Sequence, residues 1–352
     1  MPMETPFINV PVPCPVCAVE STHRYLKLKM FKPGVVEDDQ HVVDYVWENQ
    51  EFAAVRPNFY HIWHCPHCHF CDEKEVFRGE DASGGRLEML REKVLLLSRV
   101  KDTLLMRMGV GIGYPAEPDI VVEWAICAHL LAIHVQELLS PSLRMTAKIA
   151  RFSLRLAWLY RERAMLAAPP PIPPKGFESH EEFLASLRSE WPKMPMDENE
   201  ALDAAIIAYE TDLSNRRTDD PKFEINVQNL LSVLFERKGD MAGAIRYTRA
   251  VFTGAAKTRN GAKAAAQRGG ANSDKMNALA NWMNLAVEKA VERSEKLQEI
   301  VFQAEFPRAR EVLAAMGKIS PEQAAAKLRE GGFSETTIRR VTQMLEKAAK
   351  KK

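Results

Sequence analysis

Two cysteine pairs near the N-terminus have the residue types and the spacing of a metal site. The first pair is Cys14 and Cys17, the second is Cys65 and Cys68, and each has the form C-P-x-C. Two C-x2-C turns can supply the four ligands of a tetrahedral zinc site. Because four thiolates leave no open position for water or substrate, the expected role of this zinc is structural. The sequence predicts one structural Zn2+ per chain.

Other metal-binding side chains crowd the second cysteine pair and leave the ligand set open. They are His64, His67, His69 and Cys71. Any of them could replace a cysteine ligand or bind a second metal, although histidines at such sites more often donate hydrogen bonds to the ligands. A thiol redox enzyme that uses Cys65, Cys68 or Cys71 is a further alternative.

The composition is that of a globular protein with two or three domains. The chain has 352 residues, of which 46% are hydrophobic and 27% charged, and its formal net charge is +1. The N-terminus has no charged and apolar segments of a secretory signal, and no apolar run is long enough for a bilayer. We therefore expect a cytoplasmic protein without membrane insertion, in which the cysteines bind metal rather than form disulfides.

Hydrophobic periodicity predicts a mainly α protein with a small N-terminal β module that is zinc-ribbon-like. Alternating apolar residues between 23 and 64 predict short strands, and Ile62 and Trp63 belong to the strand that leads to the second cysteine pair. The expected helices cover residues 86–108, a stretch capped by Asp119, and residues 142–166, 179–191 and 198–215. The arginines expected on the solvent face of the third helix are Arg151, Arg155, Arg161 and Arg163.

The segment from Val227 to Thr253 has the pattern of a tetratricopeptide unit, which is two helices joined by a tight turn. The 152–160 helix resembles the first helix of another unit, whose partner at 199–215 follows a proline-rich insertion at 169–174. Generic helical packing is the alternative, because a stable stack usually needs at least three repeats. The predicted division is a zinc-ribbon-like domain at 1–80, a helical-repeat domain at 86–305 and a small C-terminal helical segment at 306–352. The C-terminal segment fits either a three-helix module or a pair of amphipathic helices that closes the repeats.

These features together resemble the bacterial family catalogued as domain of unknown function 2225. The shared motifs are the two C-P-x-C pairs, a Pro-x-Phe-Tyr strand at Pro57, Phe59 and Tyr60, and the helix from Arg155 to Arg161. The resemblance covers roughly residues 12 to 250 and implies a zinc-binding module ahead of tetratricopeptide-like helices. It implies no activity, because the family has no settled one.

The chain departs from the family pattern directly after each cysteine pair. The glycine that commonly stands there is replaced by Ala18 and His69. Because alanine fits a left-handed backbone less well than glycine, we expect the first turn to be less regular.

No other motif in the sequence indicates catalysis. The glycines at 109, 111 and 113 lack the preceding strand, the lysine and the hydroxyl of a phosphate-binding loop, so we expect a flexible connection there. His129 and His134 are spaced too far apart to share one helical face, and we interpret them as packing residues. The prediction is therefore no enzyme activity, no catalytic residue and no cofactor besides zinc.

One segment, from Met241 to Ser273, contains basic residues and no acidic one. A flexible basic stretch can bind nucleic acid or an acidic partner by releasing counterions, and a solvated loop is the alternative. The candidate polyanion contacts are Arg246, Arg249, Lys257, Arg259, Lys263 and Arg268.

The preferred functional hypothesis is a zinc-stabilised, non-enzymatic scaffold or adaptor for protein-protein interaction or assembly. Its concave repeat surface would take a protein or peptide partner, and self-association is also open. The alternative is a nucleic-acid-associated protein that uses the zinc knuckles and the basic 246–268 segment.

Overall fold

The chain is mainly α-helical, with small antiparallel sheets near the N-terminus, as the sequence predicts. The computed structural model describes residues 5–80, 84–112, 121–166, 173–215, 220–317 and 319–350. It separates into two compact units, Met1–Arg216 and Arg217–Lys352. The boundary between these units falls inside the predicted helical-repeat domain. The three-part division read from the sequence stays a prediction.

The first unit begins with three two-stranded hairpins. The strands are β1 (Phe7–Pro13), β2 (Glu20–Leu26), β3 (Phe31–Pro33), β4 (Tyr45–Trp47), β5 (Ile62–His64) and β6 (Cys71–Glu73). Each odd strand pairs with the even strand that follows it. The register pairs Pro13 with Glu20 and His64 with Cys71, so both cysteine pairs lie in hairpin turns. Strand β5 is the predicted strand that leads to the second pair.

Two features of the hairpin module differ from the sequence prediction. Strand β1 has no predicted counterpart, because Pro11 and Pro13 cannot donate ladder hydrogen bonds and argue against a strand interior. A two-stranded sheet tolerates them, since each strand has one unpaired edge. The predicted Pro-x-Phe-Tyr strand is wrong, because Pro57–Tyr60 is a short 3-10 helix with proline at its first position.

Seven helices complete the described part of the first unit. They are α1 (Lys74–Phe77), α2 (Gly84–Leu97), α3 (Leu104–Gly111), α4 (Val122–Glu137), α5 (Thr146–Met165), α6 (His180–Arg188) and α7 (Glu198–Asn215). Helix α4 packs against β5, β6 and α5, and α5 packs against α7. The core of this unit therefore lies around α4 and α5, where Phe152, Leu156 and Leu159 are completely buried.

The single helix predicted over residues 86–108 is wrong. The chain turns between α2 and α3, where Asp102 has a φ of 59° and the Thr103 side chain accepts a hydrogen bond from the Met106 amide at 3.3 Å. This N-cap starts a new helix. The apolar residues keep almost the same spacing across the break, so their periodicity predicts a single helix. The predicted helix cap Asp119 lies outside the described residues, as do residues 169–172 of the predicted proline-rich insertion.

The second unit is built from helices alone within its described ranges. They are α8 (Pro221–Arg237), α9 (Met241–Gln267), α10 (Ser273–Ala314), α11 (Pro321–Glu330) and α12 (Glu335–Lys350). Helices α8 and α9 form a hairpin through Gly239, whose φ is 78°, and a Cβ atom on Gly243 would lie 2.4 Å from the Phe235 ring. A small residue therefore stands where the two helices approach closely. The pairing of α5 with α7 and of α8 with α9 agrees with the expected helix pairs, and a tetratricopeptide stack stays a prediction.

Helix α10 continues through Pro307, which lies in its interior. Both Pro307 and Gln303, whose carbonyl loses its helical donor, are exposed, so water can satisfy that carbonyl. The end of α10 forms a small core with α11 and α12. The buried residues of this core are Ala309, Leu328, Phe333, Ile338 and Val341. None of the described helices is long and apolar enough to cross a membrane.

Candidate metal centre

The two hairpin turns bring the four predicted sulfur ligands together. The Sγ atoms of Cys14, Cys17, Cys65 and Cys68 all lie within 4.8 Å of one another, and none is in a disulfide. Sγ of Cys14 lies 3.6 Å from Sγ of Cys68, and the Cys17 to Cys65 distance is also 3.6 Å. Four thiolates at about 2.3 Å from a tetrahedral zinc ion are about 3.8 Å apart, so the cluster fits such an ion. The chain therefore has a four-cysteine cluster that could hold a metal ion.

Both turns use the same backbone hydrogen bonds to aim their sulfurs. In the first turn the Cys14 amide donates to the Val19 carbonyl at 2.9 Å, and the Ala18 amide donates to the Cys14 carbonyl at 2.9 Å. The equivalent bonds of the second turn measure 2.8 Å at the Cys65 amide and 2.9 Å at the His69 amide. The two halves of the site are thus copies of one local structure.

The residue after each cysteine pair has a left-handed backbone, with φ of 62° at Ala18 and 60° at His69. The prediction of a less regular first turn is wrong, because alanine adopts the same conformation there as histidine does in the second turn. A non-glycine residue in this region costs about 1 kcal/mol, which the hydrogen bonds of the turn offset.

Mutual hydrogen bonds shift the pKa values of the sulfurs in opposite directions. Hydrogen bonds with Cys14 and Cys68 lower the pKa of Cys65. Hydrogen bonds with Cys14 and Cys65 raise the pKa of Cys68, and the bond with Cys65 raises the pKa of Cys14 to about 12. A divalent cation among the sulfurs would favour the thiolate form of all four.

The other candidate ligands lie around the second turn in different surroundings. His64 and His69 stack with their ring centroids 5.3 Å apart, and Nε2 of His64 lies 3.1 Å from Nδ1 of His69. Burial lowers the pKa of His64 to about 3 and also lowers the pKa of His69. His67 is exposed, whereas Cys71 is completely buried in β6 and burial raises its pKa. In the described part of the chain, the group of side chains that could hold a metal ion consists of the four cysteines. It includes none of these other candidate ligands.

Two helices contact the turns from outside the hairpins. Arg91 of α2 donates from Nε to the Val16 carbonyl at 3.0 Å, which holds the first turn. Gly109 of α3 faces the second turn, because a Cβ atom there would lie 2.1 Å from Nδ1 and 2.8 Å from Cβ of His69. A Cβ atom on Gly111 would lie 2.5 Å from the Phe183 ring. The flexible connection expected at these glycines is wrong for residues 109 and 111, which lie in α3, and residue 113 lies outside the described residues.

Gly109→Ala should destabilise the protein by about 1–3 kcal/mol, because its methyl group overlaps the His69 ring and the Cβ of that residue. Gly85→Ala is the matched control, since it lies in α2 with no atom within 4 Å of an added Cβ. That substitution should change the stability by less than about 0.5 kcal/mol, because Gly85 is the second residue of α2 and the larger gain of alanine over glycine applies to helix interiors. Urea unfolding of the two variants measures both effects. Equal stability of the two variants would contradict the close approach of α3 to the metal centre.

Of the α5 arginines expected on a solvent face, Arg161 is buried, so the sequence prediction is wrong for this residue. Its side chain is 6% exposed, and Nη2 lies 2.9 Å from Oδ2 of Asp39, which is itself completely buried. Nε and Nη2 also bond Oε1 of Glu198 at 2.8 and 2.6 Å, and Nη1 pairs with Glu37. Three carboxylates from the hairpin module and α7 therefore surround Arg161. We call Arg161, Glu37, Asp39 and Glu198 the Arg161 cluster.

A second set of buried charges fixes β6 to α5. Lys148 lies 3.2 Å from Asp72, and both side chains are at least 96% buried. Arg151 and Arg155 both bond Glu73, with closest distances of 2.8 and 3.3 Å. Burial raises the pKa of Asp72 to about 6, against the opposite effect of Lys148. The helix from Arg155 to Arg161, which the sequence singles out, thus fastens the hairpin module to the helices of the first unit.

The two histidines of α4 are packing residues, and His129 makes the fold sensitive to acid. His129 is 0% exposed, donates from Nδ1 to the Ala125 carbonyl at 2.7 Å, and has its pKa lowered to about 4 by burial. The unfolded chain binds this proton near pH 6.5, so stability is lost as the pH falls from 6.5 towards 4. When the pH is lowered from 7.5 to 4.5, the free energy of unfolding of His129→Gln should fall by about 2–3 kcal/mol less than that of the wild type. Urea unfolding at both pH values is the measurement, and an unchanged pH dependence would contradict it.

The six candidate polyanion contacts belong to the second unit, where the expected flexible stretch is wrong because 241–267 is the helix α9. Five of the six are exposed, namely Arg246, Arg249, Lys257, Lys263 and Arg268. Arg259 is half-buried and donates to Oδ1 of Asn284 at 3.2 Å. The guanidinium of Arg246 lies over the rings of Phe235 and Tyr247 at 5.4 and 4.9 Å. The helix therefore orders these cations instead of leaving them on a solvated loop.

Comparison with known proteins identifies the family and supplies no activity. The model of the family described as "Uncharacterized protein conserved in bacteria (DUF2225)" matches residues 7–268. Searches of curated proteins and of solved structures find no match. The matched range contains the four-cysteine cluster, the arginine helix α5 and the α8–α9 hairpin. The chain belongs to the DUF2225 family of uncharacterized proteins conserved in bacteria.

Proposed function

We propose that the chain is a non-enzymatic adaptor or scaffold with a structural zinc ion in its hairpin module and a partner-binding surface on its helices. The donor set supports zinc, because four soft thiolate ligands suit Zn2+ and not the hard cations Mg2+ and Ca2+. The site also supports a structural role, since protein sulfurs fill all four positions of a tetrahedral ion. The proposal assigns no catalytic residue to the chain.

The observation that supports partner binding most directly is a groove between α9 and α10. The groove has a volume of about 560 Å³, and its lining includes Ile245, Phe252 and Val291 together with the basic residues Arg249 and Arg339 and one acidic residue, Glu295. Phe252 is 43% exposed and Val291 is 42% exposed, so both apolar side chains are accessible to a partner. An amphipathic peptide with apolar anchors and acidic neighbours would complement this lining.

A second candidate function rests on the exposed cations of α9. Arg249, Lys257 and Lys263 are exposed on α9, Arg268 is exposed directly after its last residue, and residues 241–273 contain no acidic side chain. Such a surface can neutralise phosphates of a nucleic acid and release their counterions. This candidate competes with the adaptor role for the same helix, so one experiment can separate them.

The test is affinity capture with the tagged, full-length, metal-loaded chain from its native host, with and without nuclease. Val291→Glu places a charge in the groove, and Leu285→Glu is the matched control, because Leu285 is 57% exposed on the same helix outside the groove. The adaptor role predicts a defined protein that survives nuclease and high salt, binds the wild type and Leu285→Glu, and is lost from Val291→Glu. An identical set of proteins on all three chains would overturn it. Nucleic acid that is released by nuclease or high salt, and by Lys257→Glu, would favour the second candidate.

A further inference from the structure

We propose that a cavity between the hairpin module and α5 binds a small anion that carries a planar ring. The cavity has a volume of about 770 Å³, and its lining includes Tyr25, Tyr45, Lys74, Arg151, Arg155 and Trp158. Sites for small molecules usually have volumes of about 300–1,000 Å³. The proposed ligand is independent of the adaptor role, because the cavity lies in the first unit and the groove in the second.

The charges of the cavity lining leave a local excess of positive charge at one place. Arg151 and Arg155 share the single carboxylate of Glu73, whose side chain is 15% exposed. Burial lowers the pKa of Arg155, which indicates that its charge is poorly solvated. A guanidinium group can donate two hydrogen bonds to one carboxylate or phosphate. Two arginines that share one carboxylate can therefore also bind a second anion.

Each of the other charged side chains described in the lining has an oppositely charged side chain close to it. Lys148 lies 3.2 Å from Asp72, and Glu80 lies 2.8 Å from Arg78. The Lys74 ammonium lies 3.7 Å from Glu75, whose side chain is 47% exposed. The positive excess therefore belongs to the two arginines, with Lys74 available as a further donor at the edge.

Aromatic side chains form the apolar part of the lining. The Lys74 ammonium lies 4.5 Å from the centroid of the Tyr25 ring, and Tyr45 packs edge-on against Phe31 with centroids 5.6 Å apart. Trp158 stacks on His41 with one face, with the ring centroids 5.5 Å apart. The aromatic rings of the lining can pack against a planar ligand.

The shared chemistry of the ligand is thus one anionic group for the arginines and one ring for the aromatic lining. A carboxylate and a phosphate both satisfy the first requirement. Cationic ligands would be repelled by the arginine pair, and neutral ones would leave its excess charge uncompensated. A macromolecule can offer only a side chain or a terminal group to a cavity of this size.

Isothermal titration of the full, metal-loaded chain at low salt tests the inference with four probes. Adenosine 5′-monophosphate and benzoate carry both an anion and a ring, whereas inorganic phosphate and adenosine carry one each. We expect saturable binding of one molecule per chain for at least one of the first two probes. Phosphate and adenosine should bind at least about tenfold more weakly. Absence of saturable binding by both ring-bearing anions at 5 mM would overturn the inference.

Variants of the charged residues locate the binding. Arg155→Gln should weaken the bound probe at least about tenfold, and Lys74→Gln, which keeps the arginines paired with Glu73, should weaken it severalfold. Glu73→Gln should tighten binding, because it removes the carboxylate that competes for the arginines. A purely structural role of Glu73 predicts the opposite or no change.

Arg188→Gln is the matched control, since Arg188 pairs with Glu200 at a half-exposed position outside the cavity. It should leave the affinity unchanged. Circular dichroism confirms that each variant is folded, and Lys74→Gln serves as the deciding variant if Arg155→Gln does not fold. Unchanged affinity in that deciding variant, or weaker binding by folded Glu73→Gln, would overturn the assignment.

Discussion

Replacing Cys14 or Cys65 with serine should release the proposed zinc ion and unfold the hairpin module. Each substitution takes one sulfur from a cluster whose members lie within 4.8 Å of one another, and a hydroxyl is a poor ligand for zinc. Metal binding contributes on the order of 10 kcal/mol to the folding of small zinc modules. The hairpin module of either variant should therefore be completely unfolded at neutral pH. Elemental analysis of the purified chain measures the metal, and circular dichroism with a chelator titration measures the fold.

Cys71→Ser is the matched control for this result. Cys71 is as buried as Cys14 and Cys65, so its replacement also introduces a buried hydroxyl, but its sulfur does not belong to the cluster. We expect this variant to keep about one zinc per chain while losing some stability. Loss of metal from Cys71→Ser and its retention by Cys68→Ser would show that the ligand set is a different one.

Arg161→Met should destabilise the first unit by about 3–5 kcal/mol. The substitution leaves three carboxylates of the Arg161 cluster without their shared cation, and Asp39 among them is completely buried. Urea unfolding at neutral pH measures the effect.

Two further variants separate the cluster from a general effect of arginine. Arg188→Met removes a half-exposed arginine with a single carboxylate partner and should cost no more than about 1 kcal/mol. Arg161→Lys keeps the charge but not the forked geometry that reaches several carboxylates, so we expect an intermediate loss. Equal destabilisation by Arg161→Met and Arg188→Met would rule out a special role for the cluster.

The cysteine cluster could be predicted from the sequence because its structure is local. Each turn closes within a few residues through its own backbone hydrogen bonds, and the spacing C-x2-C reports that geometry directly. The pairing of α8 with α9 could be predicted for the same reason, since Gly239 and Asp240 mark a short turn. The break before α3 had a local signal as well, because Thr103 is a good N-cap residue.

The position of Arg161 could not be predicted from the sequence. On a helix, periodicity distinguishes apolar from charged faces, and an arginine among other arginines reads as solvent-exposed. What buries Arg161 is a set of carboxylates far away along the chain, at residues 37, 39 and 198. A single sequence carries no signal for such a long-range pairing, and the same holds for Asp72 with Lys148.

The wide separation of the residues in the Arg161 cluster has a consequence for the order of folding. Each C-x2-C turn can close early, because it requires contacts only between neighbouring residues. The Arg161 cluster can close only after the loop at residues 37–41, helix α5 and helix α7 have all come together. Contacts between residues distant along the chain are the slow ones to form. Metal capture must also join the two turns, but across separations of only 48 and 54 residues, whereas Arg161 meets Glu37 and Asp39 across 124 and 122 residues. We therefore expect metal capture to precede the slowest step of folding, in which the charged cluster assembles last.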